Sequence, residues 1–280
     1  MTERTERVVV VTGASRGIGA ACVEHLAARG WRVFAGVRSE EDAARLRSAG
    51  ADPLRIDVTC DESVAAAAAT VAEAAPGGVH GLVNNAGLAV PGPLEFLPVE
   101  RFRHQLEVNV TGVLRCGQAF LPLLRRGRGR MVNMSSMAGR VAGPMLGAYH
   151  ASKYALEGMS DSWRRELIPH GLWVALVEPG AIATDIWDTS RGMAEDIAGE
   201  LPPAAQEHYG RLFEASRGAV EEVVARAIPP AAVAEAVVHA LESPKPRTRY
   251  VVGDDARGAI RAARWLPDKW MDRLVLKHKG

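Results

Sequence analysis

Residues 7–37 read RVVVVTGASRGIGAACVEHLAARGWRVFAGV, and this stretch decides the fold class. The run at 7–12 is apolar and β-branched, and reads as a buried strand. It leads straight into Gly13-Ala14-Ser15-Arg16-Gly17-Ile18-Gly19. Segment 20–28 then reads as a helix and 31–37 as a second strand. Strand, glycine loop, helix and strand within about thirty residues form a dinucleotide-binding βαβ unit. The glycines let the backbone approach a pyrophosphate, and the helix N-terminus opposes its charge. A spacing of GxxxGxG in place of GxGxxG leaves that physics unchanged.

The end of the second strand bears on which nicotinamide cofactor fits. An acid there bonds the ribose 2′-hydroxyl of NAD, whereas a 2′-phosphate wants cations. The chain has Gly36-Val37-Arg38-Ser39, with no acid before Glu40, and Arg16 stands in the glycine loop. Two arginines and a serine suit a phosphate, so NADP(H) is favoured and NAD(H) remains possible.

Working outward, a helix is expected at 40–49 and a third strand at 54–56, closing on Asp57 and Val58. Asp57 can accept from an adenine amino group or cap the helix at 62–75. A fourth strand, 79–83, ends in Asn84-Asn85-Ala86-Gly87, small and polar residues where open α/β sheets bind ligands. A long helix at 99–124 contains Asn109, a poor mid-helix residue unless its side chain has a partner, so a bend or a water site is expected there. Strands at 131–134, 172–177 and 249–252, a helix at 231–241 and a helical tail at 256–277 complete one domain spanning 1–280. Only 183–228 breaks the strand–helix rhythm. Its apolar Ile186, Trp187, Met193, Leu201, Tyr209, Leu212 and Phe213 suggest a lid over the substrate, while covering core is the alternative.

The chemistry gathers at 130–157, RMVNMSSMAGRVAGPMLGAYHASKYALE. Tyr149 and Lys153 are four residues apart and share one helix face, about 5.4 Å apart along the axis. An ammonium beside a phenol favours the phenolate, which is expected to draw the tyrosine below its reference pKa of about 10. Such a tyrosine exchanges protons near neutrality. Ser136, thirteen residues upstream of Tyr149, can donate to the same substrate oxygen.

Charge and cysteine usage narrow the class. Lys and Arg total 34 against 33 Asp and Glu, which gives no reason to expect a nucleic-acid or membrane partner. Cys22, Cys60 and Cys116 are unclustered, as in a cytoplasmic protein with reduced thiols. No metal ligand cluster stands out, and His104, His150 and His170 read as surface residues. The polar start argues against a signal peptide, and no apolar run nears the roughly 18 residues of a membrane span.

Together TGASRGIG at 12–19, NNAG at 84–87, VNVTG around Asn109, VNMSS at 132–136, YHASK at 149–153 and PGAIAT at 179–184 resemble the single-domain short-chain dehydrogenase/reductase family over nearly the whole chain. The resemblance implies a Rossmann-type, doubly wound parallel sheet of seven strands in a three-layer α/β/α sandwich. It implies Tyr149 as acid/base, Lys153 lowering its pKa and bonding the nicotinamide ribose, Ser136 orienting the substrate oxygen, and Asn109 holding a water. Cofactor contacts are implied at Gly13, Ser15, Arg16, Gly17, Ile18, Gly19, Arg38, Asp57, Val58, Asn85, Ala86, Gly87, Tyr149, Lys153, Pro179, Gly180, Ile182 and Thr184. It also implies a homodimer or homotetramer through the helix at 99–124 and the one starting near 148, each keeping an apolar face exposed. GPLEFLPVERFRHQLEVNVTG and YVVGDDAR look more like steroid and retinol dehydrogenases than fatty-acid ketoreductases. The expected substrate is a hydrophobic alcohol or ketone of steroid, retinoid or terpenoid type. A 3-oxoacyl thioester, which Arg191 or Arg211 turned inward would serve, and a cofactor-binding redox sensor stay open.

Overall fold

A computed structural model describes residues 6–48 and 50–277. Residues 1–5, Ala49 and 278–280, to which the single-domain reading also extends, lie outside them. The chain runs β1 (Arg7–Val11), α1 (Gly17–Ala27), β2 (Trp31–Val37), α2 (Glu40–Ser48), β3 (Asp52–Arg55), α3 (Asp61–Ala74) and β4 (Gly81–Asn84). Then come α4 (Val99–Leu106), a wide π-turn (Glu107–Thr111), α5 (Gly112–Gly127), β5 (Arg130–Met134), α6 (Gly147–Leu167) and β6 (Trp173–Pro179). The remainder is α7 (Ile186–Glu200), α8 (Pro203–Ala225), α9 (Ala231–Glu242), β7 (Arg249–Val252), α10 (Asp254–Trp265) and α11 (Asp268–Lys277).

The seven strands form one parallel sheet in the order β3-β2-β1-β4-β5-β6-β7. Alternation along β1 builds two core layers. Val9 and Val11 enter one with Cys22, Val23 and Leu26 of α1 and Val233 and Val237 of α9. Val8 and Val10 enter the other with Val64 and Val71 of α3 and Phe120 and Leu124 of α5. The sheet is thus covered on both faces, a Rossmann-type three-layer fold. The order reverses between β1 and β4, so a crevice opens at the carboxyl ends of those strands, where doubly wound sheets bind ligands.

The segments 99–124 and 183–228 differ from the sequence reading. The first is not one regular helix, because the π-turn interrupts it at Asn109. The second is two helices, α7 and α8, which cross the carboxyl end of the sheet. The apolar faces expected for self-association are only partly exposed, with Leu106, Val110, Leu114 and Leu121 half-buried. Of the large apolar side chains on α4, α5 and α6, only Val99 and Tyr154 are exposed. Phe120, Leu123 and Leu124 turn to the sheet, and Trp163 of α6 packs onto Gly117 of α5. Exposed large apolar groups gather instead at Trp265, Leu266, Trp270, Leu274 and Leu276. Among the described residues no helix is long and apolar enough to cross a membrane.

Candidate active site

The cofactor side is built at the ends of β1, β2, β3, β4 and β6. Gly17 has φ +57°, and a Cβ there would lie 3.1 Å from the Thr184 side chain. The glycine therefore lets loop 13–19 meet the segment after β6. α1 starts with no acidic residue in its first turn and no side chain capping its amides. Unmet N–H groups and the helix dipole make this end a fit for a pyrophosphate. Asn85 braces the loop: its Nδ2 donates to the carbonyls of Thr12 at 3.1 Å and Gly13 at 2.9 Å. Thr12 Oγ1 in turn accepts from the amides of Asn85 and Ala86. Ser15, Val58, Gly87, Gly180 and Ile182 fall on the loops after β1, β3, β4 and β6, while Ile18 is in the first turn of α1 and Pro179 ends β6.

At the ribose end the predicted cations are differently engaged. Arg16 leans toward α7, 3.5 Å from Thr189 Oγ1 and 4.0 Å from Asp185. Ser39 Oγ is tied to α2, bonded to Asp42. Arg38 is exposed at the end of β2, and its charge is felt at Asp57. Arg45, not foreseen, reaches the carbonyl of Ser15 and pairs with Asp42. Asp57 does not cap α3. Its Oδ1 accepts from the amide and hydroxyl of Thr59, and these bonds hold its carboxyl below the usual range.

Beside the crevice, β5 delivers Ser136 and α6 delivers Tyr149 and Lys153. The Tyr149 phenol lies beside Ser136, whose hydroxyl favours the phenolate. Ser136 Oγ also accepts from the Ala138 amide at 3.1 Å. Lys153 is buried, with Nζ donating to the Met134 carbonyl at 2.7 Å and lying 5.6 Å from the Tyr149 ring centroid. The expected lowering of the phenol pKa is corrected here. Burial pushes Tyr149 above its ordinary value, and the Ser136 hydroxyl only partly opposes it. Burial likewise lowers Lys153 to about 8, against the pull of Glu157. Desolvation outweighs the pairing because the ammonium is fastened to a carbonyl rather than to the phenol oxygen.

Asn109 is buried in the π-turn. Its Oδ1 accepts from the Leu88 amide at 3.0 Å, and its Nδ2 donates to the Leu88 carbonyl at 2.9 Å and Ser152 Oγ at 3.1 Å. Both polar atoms of its side chain are thereby engaged.

A short chain dehydrogenase family model matches residues 7–195. The chain belongs to the short-chain dehydrogenase family. Human "Retinol dehydrogenase 16" is 38% identical over 96% of this chain and 88% of its own length. The "NADPH-dependent 3-dehydrocapnine reductase" of Ornithobacterium rhinotracheale is 35% identical, covering 97% and 96%. A short chain dehydrogenase/reductase from Burkholderia phymatum, solved in complex with NAD, superposes with a TM-score of 0.78 at 28% identity, covering 93% of this chain and 94% of its own. This short-chain dehydrogenase is accordingly an NAD(P)-dependent oxidoreductase of the alcohol/ketone type.

Several neighbours of the dehydrogenase site escaped the sequence reading. His150 is not a surface residue: its Nε2 accepts from the Gly143 amide at 3.0 Å and its Nδ1 lies 3.1 Å from the Ala138 carbonyl. It clamps the loop that carries Ser136. Asp255 Oδ2 accepts from the Ala181 amide at 2.8 Å, fixing the loop after β6. Arg140, Glu157, Glu178 and Arg249 form a charged cluster behind Lys153. Its one local signal was spacing, since Glu157 continues the Tyr149, Lys153 stripe at the next i+4 step.

Proposed function

We propose that the enzyme interconverts a bulky hydrophobic secondary alcohol and its ketone, with NADP(H) preferred. The supporting observation is an apolar cluster that reaches Ala148, the residue before Tyr149. Ala148, Val90 and Leu97 form a buried cluster with Ile197 of α7, and Met193, Leu201, Leu88 and Phe102 pack against it. The lid arginines bring no charge to this cluster. Arg191 is exposed and paired with Asp188 at 3.4 Å, and Arg211 is exposed. Tyr209 of α8 turns its hydroxyl to Glu95 at 2.8 Å and its ring edge to Phe96, pinning the lid to the loop before α4. An apolar pocket with polar groups at one end suits an apolar body bearing one reacting oxygen. The name of the retinol dehydrogenase relative agrees with that class.

In the reductive direction Ser136 donates to the substrate oxygen and Tyr149 delivers the proton to it. Lys153, as an ammonium, stabilises the phenolate left behind and bonds the ribose. The bound nicotinamide supplies the hydride. The unmet N-terminus of α1 holds its pyrophosphate, and Asn85 and Asp255 keep the flanking loops in place. The decisive comparison is kcat/KM for a steroid-sized ketone against a β-ketoacyl thioester, with NADPH. Higher efficiency on the thioester would end the hydrophobic reading and leave the proton chemistry standing. Association as a dimer or tetramer is part of the same proposal, and a single monomeric species in sedimentation would refute it.

A further inference from the structure

Tyr149, Lys153, Glu157 and Asp161 recur every four residues, so one stripe of α6 carries a phenol, an ammonium and two carboxyls. Glu157 is buried below Lys153, and Glu178, at the end of β6, is fully buried. Charges face this pair from each neighbouring element. Arg140, in the loop after Ser136, places Nη1 3.2 Å from Glu178 Oε1. Arg249 of β7 places Nε 3.0 Å from Glu157 Oε2 and 3.1 Å from Glu178 Oε1, and its Nη2 3.0 Å from Asp161. Arg164 and Arg165 also pair with Asp161, Tyr154 lies within the field of Arg140, and Asp255 of α10 is turned to the Ala181 amide.

Those contacts use one oxygen of each glutamate. The other two, Glu157 Oε1 and Glu178 Oε2, are buried with no hydrogen-bond partner. The shared Arg249 Nε, 3.0 Å from Glu157 Oε2 and 3.1 Å from Glu178 Oε1, brings the two carboxyls side by side. A pair of facing carboxylates repels, whereas one proton between them makes a hydrogen bond and leaves a single negative charge. The loop carrying Ser136 rests on this pair. A Cβ on Gly139 would lie 3.0 Å from Glu157 Cγ, the Lys153 carbonyl and Ser135 Oγ.

We propose that Glu157 and Glu178 share one proton and act as a positioning unit for Lys153, pinning α6 to the Ser136 loop through Arg140 and to β7 through Arg249, while the remaining negative charge holds Lys153 as an ammonium. The proposal rests on the reading of Lys153 as part of the catalytic site. The electrostatics agree with the geometry. Burial and then Glu157 raise the Glu178 pKa against the two arginines, and Glu157 is what opposes the fall at Lys153.

The test compares wild type with Glu157→Gln, Glu157→Asp and Glu178→Gln. The readouts are the pH profile of kcat/KM for NADPH-dependent reduction of a steroid diketone, thermal unfolding, and the infrared carbonyl band of a protonated buried carboxyl. Glu157→Gln leaves the negative charge on Glu178 and takes it from Glu157, the residue that opposes the fall at Lys153, and moves the alkaline limb to lower pH by at least about half a unit. Glu157→Asp restores most of that shift. Glu178→Gln keeps the Glu157 carboxyl beside Lys153 and puts an amide donor in place of the shared proton, so the limb stays or moves upward. The protonated-carboxyl band is present in wild type near neutral pH and is lost in Glu178→Gln. A Glu157→Gln limb that stays in place, or Glu157→Gln and Glu178→Gln limbs that both move to lower pH while melting temperatures fall, would reduce the pair to a structural one. If no ketone is reduced with either cofactor, the catalytic reading fails, and the infrared band still decides whether the proton is shared.

Discussion

Lys153 Nζ is bonded to the carbonyl of Met134 at 2.7 Å, which fastens the middle of α6 to the last residue of β5. Ser135 and Ser136 follow at once, so the lysine holds together the two elements that carry the phenol and the hydroxyl. Tyr149 and Ser136 come from different segments, yet their approach is set by this one strut and by the His150 clamp on the same loop. Removing the strut therefore loosens two elements at once, whereas removing the phenol oxygen loosens neither.

From that difference, Tyr149→Phe is expected to lower turnover about 100- to 10,000-fold, the worth of a positioned proton donor. Affinity for the cofactor, measured by fluorescence titration, stays near wild type. Lys153→Ala instead harms both rate and cofactor affinity. A phenylalanine variant that keeps more than about a tenth of the rate would remove Tyr149 from the proton step.

Burial at Lys153 also sets a pH dependence. Its pKa in the folded protein is about 8, below the ordinary 10.5, so the ammonium is lost as pH rises through about 8. The Tyr149 phenol, raised by its own burial, ionises later. The kcat/KM for ketone reduction is therefore expected to fall on an alkaline limb near pH 8, because kcat/KM reports groups of the free enzyme. Stability moves the other way. Between the folded and unfolded values the unfolded chain binds more protons at this site, so the site adds stability as pH rises across that window. A limb appearing only with the ionisation of an ordinary lysine would contradict the burial.

The sequence disclosed the parts of the site that are local. A valine run leading to glycines, and Tyr149 and Lys153 one turn apart, are readable because strand and helix periods impose them. The mid-helix Asn109 pointed to the irregularity that the structure has as a π-turn. The cluster of Arg140, Glu157, Glu178 and Arg249 was hidden, since it joins four segments that only the sheet order brings together. His150 looked like surface for the same reason, because nothing near it in sequence shows that loop 138–143 folds back onto it. The regular helices α7 and α8 were obscured by glycines. Gly192, Gly199 and Gly218 have open space where a Cβ would stand, so packing does not demand them there.

Gly19 is a different case and gives a steric prediction. A Cβ on it would collide with the Gly13 carbonyl and sit 2.7 Å from Asn85 Nδ2, the amide that braces the loop. Gly19→Ala is expected to cost about 1–3 kcal/mol of stability, as overpacking does. Cofactor affinity also weakens, because the brace must move. Thermal unfolding with and without cofactor checks both, and a smaller stabilisation by cofactor than in wild type is the specific sign. An unchanged melting temperature together with unchanged affinity would show that the loop yields freely.

The cofactor preference turns on three arginines that are not equivalent. Arg45 is committed to the Ser15 carbonyl and Asp42, and Arg16 leans to Asp185 and Thr189 across the entrance of α7. Arg38 is exposed at the end of β2, where a ribose-binding acid would otherwise stand, and its charge reaches Asp57. It is the residue best disposed to meet a 2′-phosphate. Arg38→Asp both removes that partner and repels the phosphate, while supplying an acceptor for a ribose hydroxyl. Its kcat/KM with NADPH is expected to drop about 10- to 100-fold, with NADH held or improved, since charged hydrogen bonds are worth about 1.5–3 kcal/mol. Arg45→Ala, by contrast, lowers efficiency with both cofactors alike, because it loosens the glycine loop. Measuring the four rate ratios separates the two roles. A wild type that already prefers NADH by about tenfold, or an Arg38→Asp variant that loses both cofactors equally, would reject Arg38 as the selector.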